Sequence, residues 1–239
     1  MRRRFFVEKF TDRSAVMEGD AAHHLGRVLR AQTGQSYELS DGESVWLAEI
    51  ESVGRDLIQF RLVESLPAYR SLLETTLLLA IVKFDAFEWA LEKATELGVS
   101  RIVPLAAERS EKGLLAAAVK RAERWQKILL ESSQQSRRVK LPVLQGLVKP
   151  GAALASFQNG VRVMLSESVE ALPLKRVLAS RETITAVLAI GPEGGWTETE
   201  FAAGREAGFQ EASLGRLILR TETAVVAAVA TINYALTPA

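Results

Sequence analysis

Cysteine is absent from the 239 residues, which excludes disulfides, thiolate metal sites, iron–sulfur clusters and cysteine nucleophiles, and suits a reducing cytoplasm. Histidine is scarce: His23 and His24 are the only two. Adjacent helical residues point about 100° apart, so this pair cannot clamp a metal as an i, i+4 pair does. No metal is expected, and His24 reads as a packing or capping residue. Long apolar runs are missing as well. After Arg2-Arg3-Arg4 only Phe5-Phe6-Val7 precede Glu8 and Lys9, too little for the core of an export signal. Stretches such as 77–82 and 224–230 fall far short of the roughly 20 residues that cross a bilayer, so neither export nor a membrane location is expected. Excess charge is lacking too: 30 Lys+Arg face 29 Asp+Glu, a formal +1. Any nucleic-acid surface must therefore be a local patch. Neither G-x-G-x-x-G nor G-x-x-x-x-G-K-[ST] occurs, which sets aside a Rossmann dehydrogenase and a P-loop NTPase.

With 48% hydrophobic and 25% charged residues, the chain is sized for one large or two modest domains with true cores. Residues 1–70 read as β-rich. Segments 35–40 and 44–53 alternate apolar and polar side chains about Asp41-Gly42, a dipeptide suited to a type I′ hairpin turn. Gly54-Arg55-Asp56 leads to a further strand over 57–63, a short helix is predicted over 20–30, and 67–71 is a turn-rich linker. From Glu74 onward the pattern changes. Continuous apolar runs at 75–82, 101–105, 161–165 and 184–190 fit strands covered on both faces, hence a parallel α/β sheet.

The intervening helices carry their own signals. Asp85 and Glu88 are spaced as a capping box with Phe84 and Trp89 as its staple, and Gly98 ends that helix. A single helix is predicted over 114–135, with Leu115, Ala118, Ala122, Trp125 and Leu129 on one stripe. The last helix, 222–236, has small apolar residues on every face and reads as deeply buried, within the core or against another subunit.

Two segments point to a ligand. Ile190-Gly191-Pro192-Glu193-Gly194-Gly195-Trp196 is a Gly-rich turn leaving a buried strand, and Leu214-Gly215-Arg216-Leu217-Ile218-Leu219-Arg220 precedes Thr221-Glu222-Thr223-Ala224. Glycine lets backbone approach a ligand closely, and the end of a parallel strand is the ligand side of an open sheet; a plain tight turn would also suit the first segment. Thr197 and Glu200 are spaced as a capping box with Trp196 and Phe201 as its staple. That box occupies some of the N-terminal donors that a phosphate would need, so a neutral or zwitterionic ligand fits better.

GPEGGW followed by LGRLILRTETA strongly resembles the knotted SPOUT methyltransferases, and within them the RsmE-type enzymes that methylate ring nitrogen 3 of a uridine in bacterial 16S ribosomal RNA. The resemblance extends through His24-Leu25-Gly26-Arg27-Val28-Leu29-Arg30, the stretch WALEKATELGV at 89–99, and Glu108-Arg109-Ser110. It implies an N-terminal PUA-like β-barrel at 1–70 that binds RNA and a SPOUT domain at 71–239 with a C-terminal trefoil knot. It also implies a homodimer acting on ribosomal RNA or an assembled small subunit in the cytoplasm. S-adenosylmethionine would lie against Leu165, Ile190, Gly191, Glu193, Gly194, Gly195, Leu214, Gly215, Ile218, Leu219 and Thr223. ESSQQSRR at 131–138 is similar to the family's EASEQSxR through Gln135, Ser136 and Arg138, departing at Ser132 and Gln134, and Lys83-Phe84-Asp85 departs from a more polar turn.

Methyl transfer to that nitrogen requires removal of its proton, which costs on the order of 3 kcal/mol at pH 7 for a group titrating roughly two units higher. A cation beside the uracil carbonyls and a carboxylate to take the proton would offset this. Arg220 is the expected cation, and Glu222 and Glu193 the carboxylates. Structural alternatives stand beside each. Arg220 can pair with Glu222, Glu222 can answer the helix dipole, Glu193 can fix the turn, and Thr221 or Thr223 can cap the helix or bind the base. RNA contacts are expected from Arg2, Arg3, Arg4, Arg27, Arg30, Gln135, Ser136 and Arg138, because guanidinium forks hold phosphates and stack on bases. Other classes are a SPOUT enzyme with a different RNA nucleotide as target and a ribosome-assembly module that binds RNA without turnover.

Overall fold

The computed structural model describes residues 4–179 and 183–237. Its chain divides into two compact units, Met1–Arg70 with Ser133–Leu141, and Ser71–Ser132 with Pro142–Ala239.

The first unit is built on β1 (Arg4–Phe6), β2 (Phe10–Thr11), β3 (Ser14–Glu18), β4 (Ser36–Ser40), β5 (Val45–Val53) and β6 (Leu57–Leu66), in the order β1-β4-β5-β6-β3-β2. Alternation decides which face is inside. Ala48 and Ile50 of β5 meet Ile58, Phe60 and Leu62 of β6, each set two residues apart, over Phe5, Met17 and Leu39. The β4–β5 connection is a four-residue loop and not the expected type I′ turn. Its cause is Asp41, whose carboxylate accepts the N–H groups of Glu43 and Ser44 at 2.9 and 2.8 Å, an Asx arrangement that leaves positive φ only to Gly42. The same hydrogen bonds outweigh burial and hold Asp41 below the ordinary carboxylate range. The predicted helix is α1 (Gly19–His23) continuing as a π turn over His24–Val28.

The chain returns to this unit at Ser133–Leu141. Ser40 Oγ donates to the Val139 carbonyl at 2.7 Å. Arg4 Nη1 donates to the Arg137 carbonyl at 2.6 Å, while its Nη2 lies 3.0 Å from Glu38 Oε2. Arg137 reaches the other oxygen of Glu38 at 3.6 Å. This corrects the expectation that Arg4 contacts RNA: it is 7% exposed, and a buried guanidinium must keep its partners.

The second unit holds a parallel seven-stranded sheet in the order β11-β13-β10-β12-β7-β8-β9. Its strands are β7 (Glu74–Ala80), β8 (Arg101–Leu105), β9 (Val143–Leu144), β10 (Val161–Leu165), β11 (Leu172–Pro173), β12 (Thr185–Ile190) and β13 (Gln210–Ser213). Its helices are α2 (Phe84–Glu96), α3 (Lys112–Ala118), α4 (Ala122–Gln135), α5 (Pro150–Ala155), α6 (Leu174–Leu178), α7 (Glu198–Glu206) and α8 (Thr221–Leu236). The unbroken apolar runs follow from burial on both faces: Leu77 and Leu79 enter one core with α2 and α8, Leu78 and Ala80 the other with α5 and Trp196. Among the described residues no helix is long and apolar enough to cross a membrane.

Three helix details differ from expectation. Lys83 is the N-cap of α2, with no side-chain cap. Glu88 instead accepts from Arg124 Nε at 2.8 Å and Arg121 Nη1 at 3.0 Å, because a buried carboxylate is better satisfied by guanidinium groups than by one amide. Burial raises its pKa, but these two arginines outweigh that and hold it below the ordinary value. The predicted 114–135 helix is broken by a 3₁₀ turn at Val119–Arg121. The turn rotates Ala122 out to solvent while Trp125 and Leu129 stay buried. Helix α8 is buried on one face only, through Ala224, Val225, Ala228, Val229, Ile232 and Leu236, while Tyr234 is 93% exposed.

Candidate active site

A crevice of ≈ 370 Å³ opens in the second unit where β10 and β12 end and the loops before α7 and α8 begin. It lies at the carboxyl ends of parallel strands, where open α/β sheets take ligands, and its volume falls in the range of small-molecule sites. Leu165, Ile190, Gly191, Glu193, Gly194, Gly195, Leu214, Gly215, Ile218 and Leu219 all line it. Thr223 does not; it lies exposed on α8.

Two glycines of the first turn sit in tight quarters. A Cβ on Gly191 would stand 3.1 Å from the Trp196 ring, and one on Gly194 would stand 3.3 Å from Arg109 Cβ. Gly195 takes φ 69, closing the turn with its N–H on the Pro192 carbonyl at 2.8 Å. The Trp196 indole N–H donates to the Leu165 carbonyl at 3.0 Å, so the end of β10 and the turn after β12 are held together. Behind the turn, Thr197 and Glu200 form a complete capping box on α7, with Trp196 and Phe201 packed in the same core. Amides that a phosphate would need are thereby occupied.

Thr221 joins the two loops: its hydroxyl donates to the Gly191 carbonyl at 3.3 Å. It does not cap α8, whose N-cap is Arg220. Arg220 and Glu222 flank the crevice-lining Leu219 and Thr221 in sequence without lining the crevice themselves. Among the described residues Arg220 and Glu222 form no ion pair, so the pairing considered as an alternative role is not made. Arg220 is exposed, Glu222 half-buried and Glu193 exposed.

Other lining residues lie outside the expected set, among them Arg109, Ser166 and Ser168. Arg109 Nη1 donates to the Gly194 carbonyl at 2.8 Å. The only signal for it was the Glu108-Arg109-Ser110 tripeptide.

Of the residues expected to meet RNA, Arg2 and Arg3 lie outside the described residues, and Arg4 is buried as above. Arg27 and Arg30 are exposed in the first unit, Arg30 at φ 54 where the π turn ends. Gln135 is exposed, while Ser136 and Arg138 are half-buried on the returning segment. Burial lowers Arg138 to about 10, which leaves it charged at neutral pH. Among the described residues no cluster of three His, Asp or Glu could hold a metal ion.

The profile of an RNA methyltransferase domain matches residues 70–233, and that of an RNA methyltransferase PUA domain matches residues 18–63. The chain is 34% identical over 238 residues to the ribosomal RNA small subunit methyltransferase E of Synechocystis sp., covering 95% of this chain and 75% of that one. It is 29% identical to the Bacillus subtilis protein of the same name, covering 90% and 88%. A ribosomal RNA small subunit methyltransferase E from Neisseria gonorrhoeae, solved bound to S-adenosyl methionine, superposes with a TM-score of 0.88 at 30% identity, covering 99% and 98%.

Proposed function

The chain belongs to the RNA methyltransferase family of ribosomal RNA small subunit methyltransferase E, and from that premise we propose that it transfers a methyl group from S-adenosylmethionine to ring nitrogen 3 of a uridine in bacterial 16S ribosomal RNA. The observation that carries this reading is the crevice itself. Ten residues expected to meet the donor line one cleft at the strand ends, and a similar protein at 30% identity was solved with that donor bound.

The residues present fit such a group. Gly191 and Gly194 keep the wall at backbone height, because a Cβ at either would crowd Trp196 or Arg109. The capping box already engages the Thr197 and Glu200 amides at the α7 N-terminus, leaving fewer donors there for a phosphate, which suits a ligand lacking one. When bound, S-adenosylmethionine supplies an electrophilic methyl on a sulfonium. The chain's contribution is then position and charge. Holding the two reactants in one near-attack geometry is worth roughly 7–11 kcal/mol in well-oriented cases. In this reading the exposed guanidinium of Arg220, next in sequence to the crevice-lining Leu219 and Thr221, would stabilise negative charge on a uracil carbonyl as nitrogen 3 loses its proton, and Glu222 or Glu193 would take that proton.

The first unit would hold the RNA, with Arg27, Arg30, Gln135, Ser136 and Arg138 as its contacts. Two copies would pair through the outer face of α8, where Tyr234 and Ala230 stay exposed in one chain. The C-terminal segment carries the trefoil knot, and the protein works in the cytoplasm on ribosomal RNA or the assembled small subunit.

Calorimetric titration with S-adenosylmethionine, followed by methyl transfer to RNA or subunits from cells lacking the protein, tests the reading. Saturable one-site binding with incorporation of label is expected. Binding without incorporation would favour the assembly module, and no binding would refute the reading. Tyr234→Glu is expected to convert a dimer to a monomer by light scattering; a monomeric wild type would refute the pairing.

A further inference from the structure

Each of the three polar residues in the loop after β8 is bonded to another part of the second unit. Ser110 Oγ donates to the Ile81 carbonyl at 2.7 Å and is buried. Arg109 Nη1 donates to the Gly194 carbonyl at 2.8 Å. The Glu108 N–H donates to Glu200 Oε1 at 3.0 Å.

Glu200 is the unusual member. A capping box needs one carboxylate oxygen, and here Oε2 does that work, accepting the Thr197 N–H at 2.8 Å and facing the Thr197 hydroxyl at 3.2 Å. The second oxygen reaches across to a backbone amide 92 residues earlier. One buried carboxylate therefore fastens the start of α7 and the loop carrying Arg109 to each other. Arg109 then grips the turn between them from its other side, so close that a Cβ at residue 194 would lie 3.3 Å from its own.

We propose that Arg109 and Glu200 are positioning residues for the methyl donor, forming a brace that fixes the Gly194 carbonyl edge of the crevice. This rests on the reading of the crevice as the donor site. Arg109 is exposed and contributes one charge-assisted hydrogen bond to a backbone oxygen, so its removal leaves the core untouched while freeing the turn. Glu200→Gln keeps the shape but replaces one acceptor oxygen with an amide donor, so only one of the two links survives.

The test is calorimetric titration of S-adenosylmethionine into wild type, R109A, R109K, E200Q and R109A/E200Q, with melting curves taken without the donor. R109A is expected to weaken donor binding on the order of tenfold, the scale of one charge-assisted hydrogen bond. Its donor-free melting point should stay within about 1 °C of wild type, as for an exposed side chain outside the core. R109K should recover part of the affinity, since an ammonium can still donate to the Gly194 carbonyl. The double variant should lose less than the product of the two single losses, because both act on one loop. Unchanged donor affinity in R109A, or independent multiplication of the two losses, would overturn the brace alone. A wild type that fails to bind the donor would overturn the proposed function, and the brace with it.

Discussion

Gly191 and Gly194 stand three residues apart on one turn, yet the same added methyl should have different consequences at each. At Gly191 the new Cβ would lie 3.1 Å from Trp196 Cε2 and 3.2 Å from Nε1. The ring cannot yield freely: Trp196 is 4% exposed, and its indole N–H is held by the Leu165 carbonyl at 3.0 Å. Relief means either an overpacked ring, typically about 1–3 kcal/mol, or a buried donor left without its acceptor, about 1–3 kcal/mol. Gly191→Ala should therefore cost roughly 2 kcal/mol, lowering the melting point by roughly 4–8 °C at the usual scaling for a unit of this size. Since the ring and the Leu165 carbonyl both border the crevice, S-adenosylmethionine binding should weaken on the order of tenfold or more. At Gly194 the nearest atoms are Arg109 Cβ at 3.3 Å and Cδ at 3.5 Å. Arg109 Cβ is fixed to its backbone, but this contact is looser than the one at Gly191 and falls on an exposed residue, so Gly194→Ala should lower the melting point by only about 1–2 °C. Differential scanning calorimetry with and without donor compares the two variants. Equal melting points for both, or a lower one for Gly194→Ala, would refute the reasoning.

Arg220→Ala should abolish methyl transfer while leaving donor affinity within a few-fold of wild type; full turnover would remove Arg220 from the chemistry. Gly160 sits at φ 77 with a notional Cβ 2.3 Å from the Thr185 backbone carbonyl, which cannot move without parting β10 from β12. Gly160→Ala should cost upwards of about 3 kcal/mol, read as a melting point roughly 6–12 °C lower, and wild-type melting would contradict that contact. Glu88 has a folded pKa below its ordinary value, so its charge contributes stability above the unfolded pKa and loses it as pH falls through the folded one. Glu88→Gln should thus be destabilised by about 1–2 kcal/mol at pH 7, with the gap from wild type closing in acid. A gap that stays constant down to pH 3 would contradict the assignment.

Where one local cause dominates, the structure was readable beforehand. The unbroken apolar runs of β7 and β12 fit strands buried on both faces, and they are. Thr197 and Glu200 formed the predicted capping box, and Gly98 ends α2 at φ 90. The Gly-rich turn of the crevice wall was legible as a turn at a strand end, and as a donor site only through the resemblance of GPEGGW and LGRLILRTETA to a known family. Long-range partners were not readable. Asp85 and Glu88 have capping-box spacing, but two arginines from a later helical segment offered Glu88 a better bond. Arg4 looked like a solvated basic start until Glu38 and the Arg137 carbonyl enclosed it. Arg109 and Thr221 have roles set by backbone carbonyls 85 and 30 residues away, and no periodicity records such a pairing. Threading of a chain through a loop likewise leaves no local pattern, so the trefoil knot rests on family resemblance.

The reaction proposed for this chain is methylation of a uridine in 16S ribosomal RNA. Mapping N3-methyluridine across that RNA, from cells with and without the protein, tests it most directly. One uridine should lose its methyl group when the protein is absent and regain it when purified protein and S-adenosylmethionine are added. Identical maps from the two cell types, with no methyl incorporated on addition, would contradict the claim.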